Sequence, residues 1–285
     1  VPKGATFTGK RKRARSTMLR VANCLLGEDL GDDTLIIGTS GRYEFKNKGI
    51  DVFLESLNRL NRDKDLKKKV LAFVNVPSWV GDPREDLQKR LKSKDKFTEP
   101  LQCPFITHWL HNMTHDQVLD MLKYLGMGNR PEDKVKVIFV PCYQDGHDGI
   151  LNKHYYDLIL GEDLSVYPSY YEPWGYTPLE SVAFRVPTIT TDLAGFGLWV
   201  NSLKNQHGIN DGVEVLHRSD YNYSEVADGI KDTVALFSTK TEAEIKEIRK
   251  RAGQVAEQAL WKHFIQYYYE AYDIALRNAM KRQLK

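Results

Sequence analysis

The stretch TLIIGTSGRYEFKNKGIDVFLESLNRL, residues 34–60, holds an apolar run, a polar loop and a helix-period segment in direct succession. The run at 34–40 predicts a buried strand, because it is short, apolar and bounded by turn residues. In the segment 50–60, apolar side chains recur at the spacing of one helical face. The stretch therefore predicts one strand–loop–helix unit, the building block of a parallel sheet.

This strand–helix alternation continues along the chain. Capping boxes predict two helix starts, Thr114 with Gln117 and Thr241 with Glu244. Residues 77–100 are polar and predict a loop with an exposed helix. The pattern favours an α/β fold: one Rossmann-like domain over 1–285, with a mainly parallel sheet, helices on both faces and a long helical tail at 240–285. Further strands are predicted at 70–76, 135–141, 164–169, 188–192 and 213–217, and further helices at 152–160, from Pro178 and at 224–237.

Composition excludes several classes of protein. The 285 residues carry 41 Lys and Arg against 38 Asp and Glu, a net charge of +3 that does not indicate a nucleic-acid or membrane-surface protein. The three cysteines form no CxxC pair, which favours a cytoplasmic location. No apolar run approaches the roughly 18–20 residues that span a bilayer. The basic segment KRKRAR at 10–15 is predicted to be a solvated arm that does not bind nucleic acid.

Ligands of such sheets bind beyond the carboxyl ends of the strands, so the loops after strands are the informative ones. In the loop 41–49, Arg42 and Lys48 precede a helix whose first N–H groups are expected to be free. Together they predict a diphosphate site. The alternative is a solvated loop in which these cations pair with Glu44 or Asp51.

The loop YPSYYEPWGYTPLE at 167–180 places two carboxylates, Glu172 and Glu180, among aromatic residues. A carboxylate accepts hydrogen bonds from hydroxyl groups while ring faces cover C–H surfaces, so the loop suits a sugar. Thr177 is predicted to cap the next helix, with Pro178 at its first position and Glu180 completing a capping box. The alternatives are a purely capping Glu180, and packing for Tyr170, Tyr171 and Trp174.

Two other loops are less specific. In TTDLAGFG at 190–197, Gly195 and Gly197 allow a backbone to approach a ligand closely, or form an ordinary turn. The histidine in DGHDG at 145–149 is predicted to belong to a turn rather than to a metal site.

Three stretches together resemble the eukaryotic-type glycogen synthases, glycosyltransferase family 3. They are GRYEFKNKGIDVFLESLNRLN at 41–61, VKVIFVP at 135–141, and PSYYEPWGYTPLE through TITTDLAGFG at 168–197. The resemblance implies the GT-B fold, in which two Rossmann-like domains face each other across a cleft. It implies that this chain is the C-terminal, nucleotide-sugar-binding half, and that the N-terminal domain is absent from it.

The resemblance also implies roles for single residues. Arg42 and Lys48 would hold the donor diphosphate, together with Thr177 at a helix start. Glu172 would contact the transferred glucose, and Glu180 the ribose. Tyr155 falls where the family stacks an aromatic ring on the base. The implied reaction is retaining transfer of glucose from UDP-glucose or ADP-glucose to the 4-OH end of an α-1,4-glucan. No metal or other cofactor is expected, and the partners are the donor, the glucan, the N-terminal domain and possible further copies of the chain.

Other functions stay open at this point. The chain could be a non-catalytic nucleotide-sugar or glucan-binding module, or part of another GT-B glucosyltransferase such as a sucrose or trehalose-phosphate synthase. Only Arg249, Lys250 and Arg251 stand where the family has an arginine-dense regulatory helix before Trp261. Consecutive helical residues point about 100° apart, so strong activation by glucose 6-phosphate is not expected.

Overall fold

The computed structural model describes residues 1–204 and 206–283, built around a six-stranded parallel sheet. The strand order is β5-β2-β1-β6-β7-β8, the doubly wound arrangement in which the chain runs outward in both directions from the β1/β6 pair. The predicted fold class is confirmed. The sheet strands are β1 (Leu35–Ser40), β2 (Val70–Asn75), β5 (Val135–Val140), β6 (Leu164–Val166), β7 (Thr188–Thr191) and β8 (Val213–Leu216).

Helices cover both faces of this sheet. In β1, Ile37 joins the core under the second, fourth and eighth helices, while its neighbour Ile36 joins the core on the opposite face. This alternation follows from the period of two residues along a strand. The helices are α1 (Gly4–Leu26), α2 (Ile50–Asn61), α3 (Glu85–Lys92), α4 (Gln117–Leu125), α5 (Tyr155–Leu158), α6 (Tyr176–Ala183), α7 (Gly195–Asn201), α8 (Tyr223–Ser238), α9 (Glu242–Gln258) and α10 (Trp261–Gln283).

All six predicted sheet strands are confirmed, whereas one of the two capping boxes predicted at Thr114 and Thr241 is confirmed and the other is wrong. The capping box of Thr241 with Glu244 is present at the start of α9. The one predicted at Thr114 is wrong: Asp116 caps α4 by accepting from the N–H groups of Val118 and Leu119. Asp116 also accepts from the hydroxyl of Tyr43, 2.8 Å away, so a tertiary contact selects this residue as the cap.

The segment 77–100 forms more than the predicted loop and exposed helix. Residues Val80–Pro83 form β3, which pairs antiparallel with β4 (His108–Leu110). These two strands form a small antiparallel ribbon apart from the main sheet, and α3 lies in the long connection between them. The N–H of Ser78 donates to the carbonyl of Pro141 at 2.9 Å, which fastens the ribbon to the carboxyl edge of the main sheet.

The predicted solvated arm at 10–15 is wrong, because this segment lies within α1 and packs on the body. Arg11 and Arg15 both bind the buried carboxylate of Asp163, which also accepts the N–H of Ile36. Burial alone would raise the pKa of Asp163, but the two guanidinium groups outweigh it and hold that pKa below its usual value. Lys10 pairs with Asp157 near the surface, at 2.8 Å.

The tail divides into two helices with different surroundings. Ile248, Ala252 and Val255 of α9 are buried against the body. In α10 the ring of Phe264 packs edge-on against Trp174 and Trp199. Beyond it, α10 exposes many large apolar side chains. Within 1–204 and 206–283, no helix combines the length and the apolar character that crossing a membrane requires.

We expect Asp163→Asn to lower the free energy of unfolding by about 3 kcal/mol, because it leaves two partly buried guanidinium groups without their counter-charge. Asp157→Asn removes only the partly exposed ion pair with Lys10 of α1, and should lower the free energy of unfolding by less than about 1 kcal/mol. Urea denaturation at pH 7 measures both.

The pH dependence provides a second readout for the same pair of variants. Since the folded pKa of Asp163 is depressed, its contribution is present above the ordinary carboxyl pKa and is lost as pH falls through the folded pKa. The gap between wild type and Asp163→Asn should therefore narrow in acid. If both variants lowered the free energy of unfolding equally at pH 7, the result would contradict a stabilising role for the buried cluster of Asp163, Arg11 and Arg15.

Candidate functional site

A cavity lies at the carboxyl edge of the sheet, beside the β1/β6 pair where the strand order reverses. Its volume is about 510 Å³, within the range of small-ligand sites. Loops after β1, β2 and β5 form most of its wall, and helices α5 and α6 complete it. It is lined by Ser40, Gly41, Arg42, Tyr43, Asn75, Pro77, Cys142, Tyr143, Gln144, Asp145, Tyr155 and Thr177.

Three predicted site residues meet in this cavity, Arg42, Tyr155 and Thr177. They come from three different segments, the loop after β1, the start of α5 and the first turn of α6. A cation, an aromatic ring and the positive end of a helix therefore border one space. This combination fits a ligand that joins an anionic group to a planar one.

Lys48 and Glu172 form an ion pair at the rim of the cavity. Their side chains are only 16% and 19% exposed, so the pair is partly shielded from water and from salt. Lys48 lies beside Gly41, which lines the cavity. The predicted diphosphate cation and the predicted sugar carboxylate thus neutralise each other.

Arg42 has a different environment. Its guanidinium contacts Glu44 at 3.0 Å, with 76% of the arginine side chain exposed. Such an exposed pair contributes little, about 0–1 kcal/mol, and is readily exchanged. The alternative pairing within the loop is therefore confirmed for Arg42 with Glu44, whereas Lys48 pairs with Glu172 instead of Asp51.

The prediction of free N–H groups at the start of α2 is wrong. The N–H groups of Ile50 and Asp51 donate to the carbonyl of Phe45, and that of Val52 donates to the Asp51 side chain. The end of this helix is consequently closed by its own loop. The helix whose N-terminus borders the cavity is α6, through Thr177.

The predicted capping box at α6 is also wrong. The helix begins two residues earlier than expected, at Tyr176, and its N-cap is Gly175 with φ of 106°, a conformation that favours glycine. Thr177 and Pro178 are therefore inside the first turn. Glu180 caps nothing and instead accepts a hydrogen bond from the hydroxyl of Tyr156, at 2.7 Å.

Packing explains part of the aromatic loop. Trp174 belongs to the core formed with α7, where it contacts Phe196 and Trp199. Tyr170 lies under the guanidinium of Arg218, 5.4 Å from the ring centroid. The packing alternative is therefore confirmed for Trp174, whereas Tyr171 remains 62% exposed.

The two glycines at 195 and 197 serve internal packing rather than a ligand. A side chain on Gly195 would collide with the carbonyl of Pro173, and one on Gly197 with the carbonyl of Thr191. These glycines let α7 lie directly against the loop that carries Glu172. The N–H of Gly195 donates to the Glu172 carbonyl at 3.0 Å, which fixes the backbone of that carboxylate.

Sequence patterns missed a chain of hydroxyl groups beneath the cavity. The Ser40 hydroxyl lies 2.8 Å from that of Tyr155, and the Tyr167 hydroxyl lies 2.7 Å from that of Ser181. The Ser40 and Tyr167 hydroxyls approach at 3.4 Å and join the two pairs. Burial raises the pKa of Tyr167 to about 12 and that of Tyr155 well above its usual value, so both remain neutral.

This hydroxyl chain, Ser40–Tyr155–Tyr167–Ser181, connects β1, α5, β6 and α6. It sets the depth of the Tyr155 ring in the cavity wall, because the tyrosine hydroxyl is fixed from below. Next to it, burial raises the pKa of Glu162 to about 8, and Gly38 leaves the room that this carboxyl group occupies. No short motif announces such a network, since its members are far apart in the chain.

Among the residues that the structure describes, one group of side chains could ligate a metal, namely His108, Cys142 and Asp148. The imidazole contacts the Thr107 hydroxyl at 2.9 Å and the Asp148 carbonyl at 2.7 Å. Burial lowers the pKa of His108 and raises that of Cys142 to about 12, so both side chains are neutral. The Asp148 carboxylate accepts from three backbone N–H groups, as expected for the predicted turn.

The three cations before Trp261 diverge. Arg249 is buried and donates to the carbonyl of Glu162, Arg251 pairs with Asp211, and Lys250 lies 3.5 Å from Glu247. Their divergence agrees with the helical geometry expected from the sequence. The response to glucose 6-phosphate stays a prediction.

Comparisons with known proteins identify relatives of the whole chain. The family model described as glycogen synthase matches residues 25–89 and 82–285. The glycogen (starch) synthase of Neurospora crassa is 28% identical over 87% of this chain and 42% of that protein. Isoform 2 from Saccharomyces cerevisiae is 29% identical over 89% and 44%, and the Caenorhabditis elegans enzyme is 32% identical over 66% and 35%.

The chain therefore spans less than half the length of the curated relatives that it matches. Among solved structures, WaaG, a glycosyltransferase involved in lipopolysaccharide biosynthesis, aligns with a TM-score of 0.47 and 15% identity. That alignment covers 86% of this chain and 46% of that chain.

We expect Tyr167→Phe to lower the free energy of unfolding by about 1–2 kcal/mol, because it leaves the buried hydroxyl of Ser181 without its partner. Tyr156→Phe removes a hydrogen bond from a side chain that is 48% exposed, and should change stability by less than about 0.5 kcal/mol. Chemical denaturation of the two variants gives the comparison. An unchanged free energy of unfolding in Tyr167→Phe would show that the hydroxyl chain does not stabilise the cavity wall.

Proposed function

Because this chain belongs to the glycogen synthase family, we propose that it is the donor-binding half of a retaining glucosyltransferase. The substrate is a nucleotide-glucose, and the acceptor is the 4-OH end of an α-1,4-glucan. The single observation that carries the proposal is the cavity in which Arg42, Tyr155 and Thr177 meet, with Lys48 and Glu172 paired at its rim. The second half of the site belongs to an N-terminal domain that faces this edge in a GT-B arrangement.

The donor diphosphate binds between Arg42, Lys48 and the N-terminus of α6. Bond breaking transfers negative charge to this leaving group, so fixed positive charges stabilise the transition state more than the ground state. Comparable preorganised donors are worth roughly 3–4 kcal/mol each. Arg42 reaches the diphosphate by giving up its exposed contact with Glu44, an exchange that costs little.

The glucose lies against Glu172. Its ring gains oxocarbenium character as the bond to the diphosphate lengthens, and a nearby carboxylate stabilises that charge. Glu172 is held at the rim by its backbone bonds to Leu193 and Gly195. We assign it orientation and charge stabilisation, and we propose that the acceptor attacks from the face that the diphosphate leaves, without a covalent glycosyl-enzyme.

The base stacks on Tyr155, whose ring depth the hydroxyl chain sets. Glu180 accepts hydrogen bonds from the ribose, in exchange for the hydroxyl of Tyr156. Tyr156 itself stacks on Phe184 with ring centroids 5.4 Å apart. The Glu180 carboxylate is consequently placed by a neighbouring side chain before the nucleotide arrives.

The remaining assignments follow from the same proposal. We expect a cytoplasmic protein that functions with its N-terminal domain, does not bind nucleic acid and forms homo-oligomers if the family pattern holds. The 285-residue chain alone should fold but not elongate glucan, because excluding water and positioning the acceptor need both halves.

Titration of UDP, ADP, UDP-glucose and ADP-glucose into the protein tests the donor site. We expect one nucleotide series to bind in the presence of EDTA as tightly as in its absence, because two cations and a helix end already neutralise the diphosphate. The preferred base then identifies the donor. Absence of binding by all four ligands, or binding only after Mg²⁺ or Mn²⁺ is added, would refute this part of the proposal.

Substitutions in the loop 41–49 test the assigned roles. In the complete enzyme, Arg42→Ala and Lys48→Ala should each lower kcat/KM by roughly 10²-fold, whereas Lys46→Ala, on the same loop, should change it less than about twofold. Glu172→Gln should reduce kcat, and Glu180→Gln should mainly weaken donor binding. Steady-state kinetics with nucleotide-glucose and glycogen provide these values. A lower melting temperature with normal turnover would show that Lys48 and Glu172 are only a structural pair.

A further inference from the structure

The ribbon of β3 and β4 exposes aromatic rings on its outer face. Trp79, which precedes β3, is 72% exposed, and its ring contacts that of His111 at a tilt of 42°, with centroids 4.9 Å apart. Trp109 of β4 is 36% exposed. We call these three rings, of Trp79, Trp109 and His111, the aromatic platform. Exposing two indole rings forfeits hydrophobic stabilisation, so the platform is a feature that folding alone does not favour.

The geometry of the ribbon places the three rings on one side. The N–H of His111 donates to the carbonyl of Trp79 at 3.2 Å, so these residues lie opposite each other. Trp109 is two residues from His111 and therefore faces the same way. Gly81 lies against the backbone of Trp109. Leu110 faces the other way and is buried in the core.

The ring of Trp109 is fixed from beneath. The guanidinium of Arg84 lies 4.4 Å from the ring centroid, and this arginine is fully buried. Asp86 holds the guanidinium with contacts of 2.7 and 3.0 Å, and the carbonyl of Cys103 accepts from it at 2.8 Å. A ring already immobilised this way loses little conformational entropy when a ligand stacks on it.

The platform lies next to the cavity at the carboxyl edge of the sheet. Pro77, which lines that cavity, is two residues before Trp79, and the N–H of Ser78 donates to the carbonyl of Pro141, after β5. A ligand that extends from the cavity past Pro77 would reach the platform.

The charge of the ribbon excludes polyanions. Segments 77–83 and 107–113 contain no lysine or arginine, and the guanidinium of the neighbouring Arg84 is buried and paired with Asp86. Nucleic acids and anionic membranes are bound through arrays of exposed cations. The chemistry that remains is that of a neutral ligand with apolar faces.

The size of the platform argues against a protein partner. An aromatic side chain covers about 150–250 Å² in full, so three partly exposed rings offer roughly 300–400 Å². A stable protein–protein interface buries about 800 Å² on each side. Separate ring faces spaced along a strip fit a chain of sugar rings, whose C–H faces stack on indoles while their hydroxyls remain in water.

We propose that the aromatic platform binds the α-1,4-glucan, with sugar rings stacked on Trp79 and Trp109 and a hydroxyl group hydrogen-bonded to His111. The platform would hold the chain beside the cavity in which its end is elongated. This inference rests on the proposed function, because the glucan is the acceptor of that reaction.

Binding of maltoheptaose and of glycogen to the full-length protein tests the platform. We expect Trp79→Ala to raise the Kd for maltoheptaose at least tenfold, and to raise the KM for glycogen without lowering kcat. The control is Tyr124→Ala, which removes a ring that is 86% exposed at the end of α4, before the amino edge of the sheet; it should change neither value. Trp109→Ala should raise the Kd for maltoheptaose as Trp79→Ala does. Its melting temperature shows whether loss of the contact between Trp109 and Arg84 also destabilises the fold.

The outcomes separate this inference from the proposed function. Unchanged glucan affinity in both tryptophan variants would overturn the platform, while Lys48-dependent nucleotide binding would leave the donor site intact. A shift from oligomer to monomer in Trp79→Ala, with unaltered glucan affinity, would show that a second copy covers the rings. Failure of wild-type protein to bind any nucleotide, with Trp79-dependent glucan binding, would instead refute the glucosyltransferase and leave a glucan-binding module.

Discussion

The buried carboxylate of Asp163, held between Arg11 and Arg15, is the interaction on which the arrangement of this protein depends. An isolated charge in that position would be strongly unfavourable, so the packing of β6 beside β1 depends on the arginines of the first helix. The same carboxylate accepts the N–H of Ile36 in β1. It therefore fixes the spacing of the two strands from which the doubly wound sheet departs in both directions.

The cavity stands at the opposite end of those two strands. Ser40 ends β1 and Tyr167 follows β6, and their hydroxyl groups approach only because the strands are held in register below. Tyr155 and the start of α6 are placed in turn from this contact. An ion cluster at one edge of the sheet and a neutral hydroxyl chain at the other thus keep the same strand pair aligned.

Features set by local chemistry could be predicted, and features set by tertiary contact could not. The six strands followed from short apolar runs, because a strand buried on both faces needs them. The starts of α4 and α6 could not be predicted in this way. The cap of α4 depends on the hydrogen bond between Tyr43 and Asp116, and the cap of α6 depends on the positive φ of Gly175. The ribbon of β3 and β4 escaped prediction because its strands are four and three residues long and contain glycine and proline. For the site, the loops after β1 and β6, together with the resemblance, indicated Lys48 and Glu172, but their mutual pairing joins residues 124 positions apart and has no sequence pattern.

The pairing of Lys48 with Glu172 joins opposite charges from two distant loops. In the donor site proposed above, diphosphate binding would be an exchange of partners, in which the ammonium group leaves one anion for another. The net affinity would then be a small difference between two similar attractions, because the carboxylate would compete with the nucleotide for the same cation.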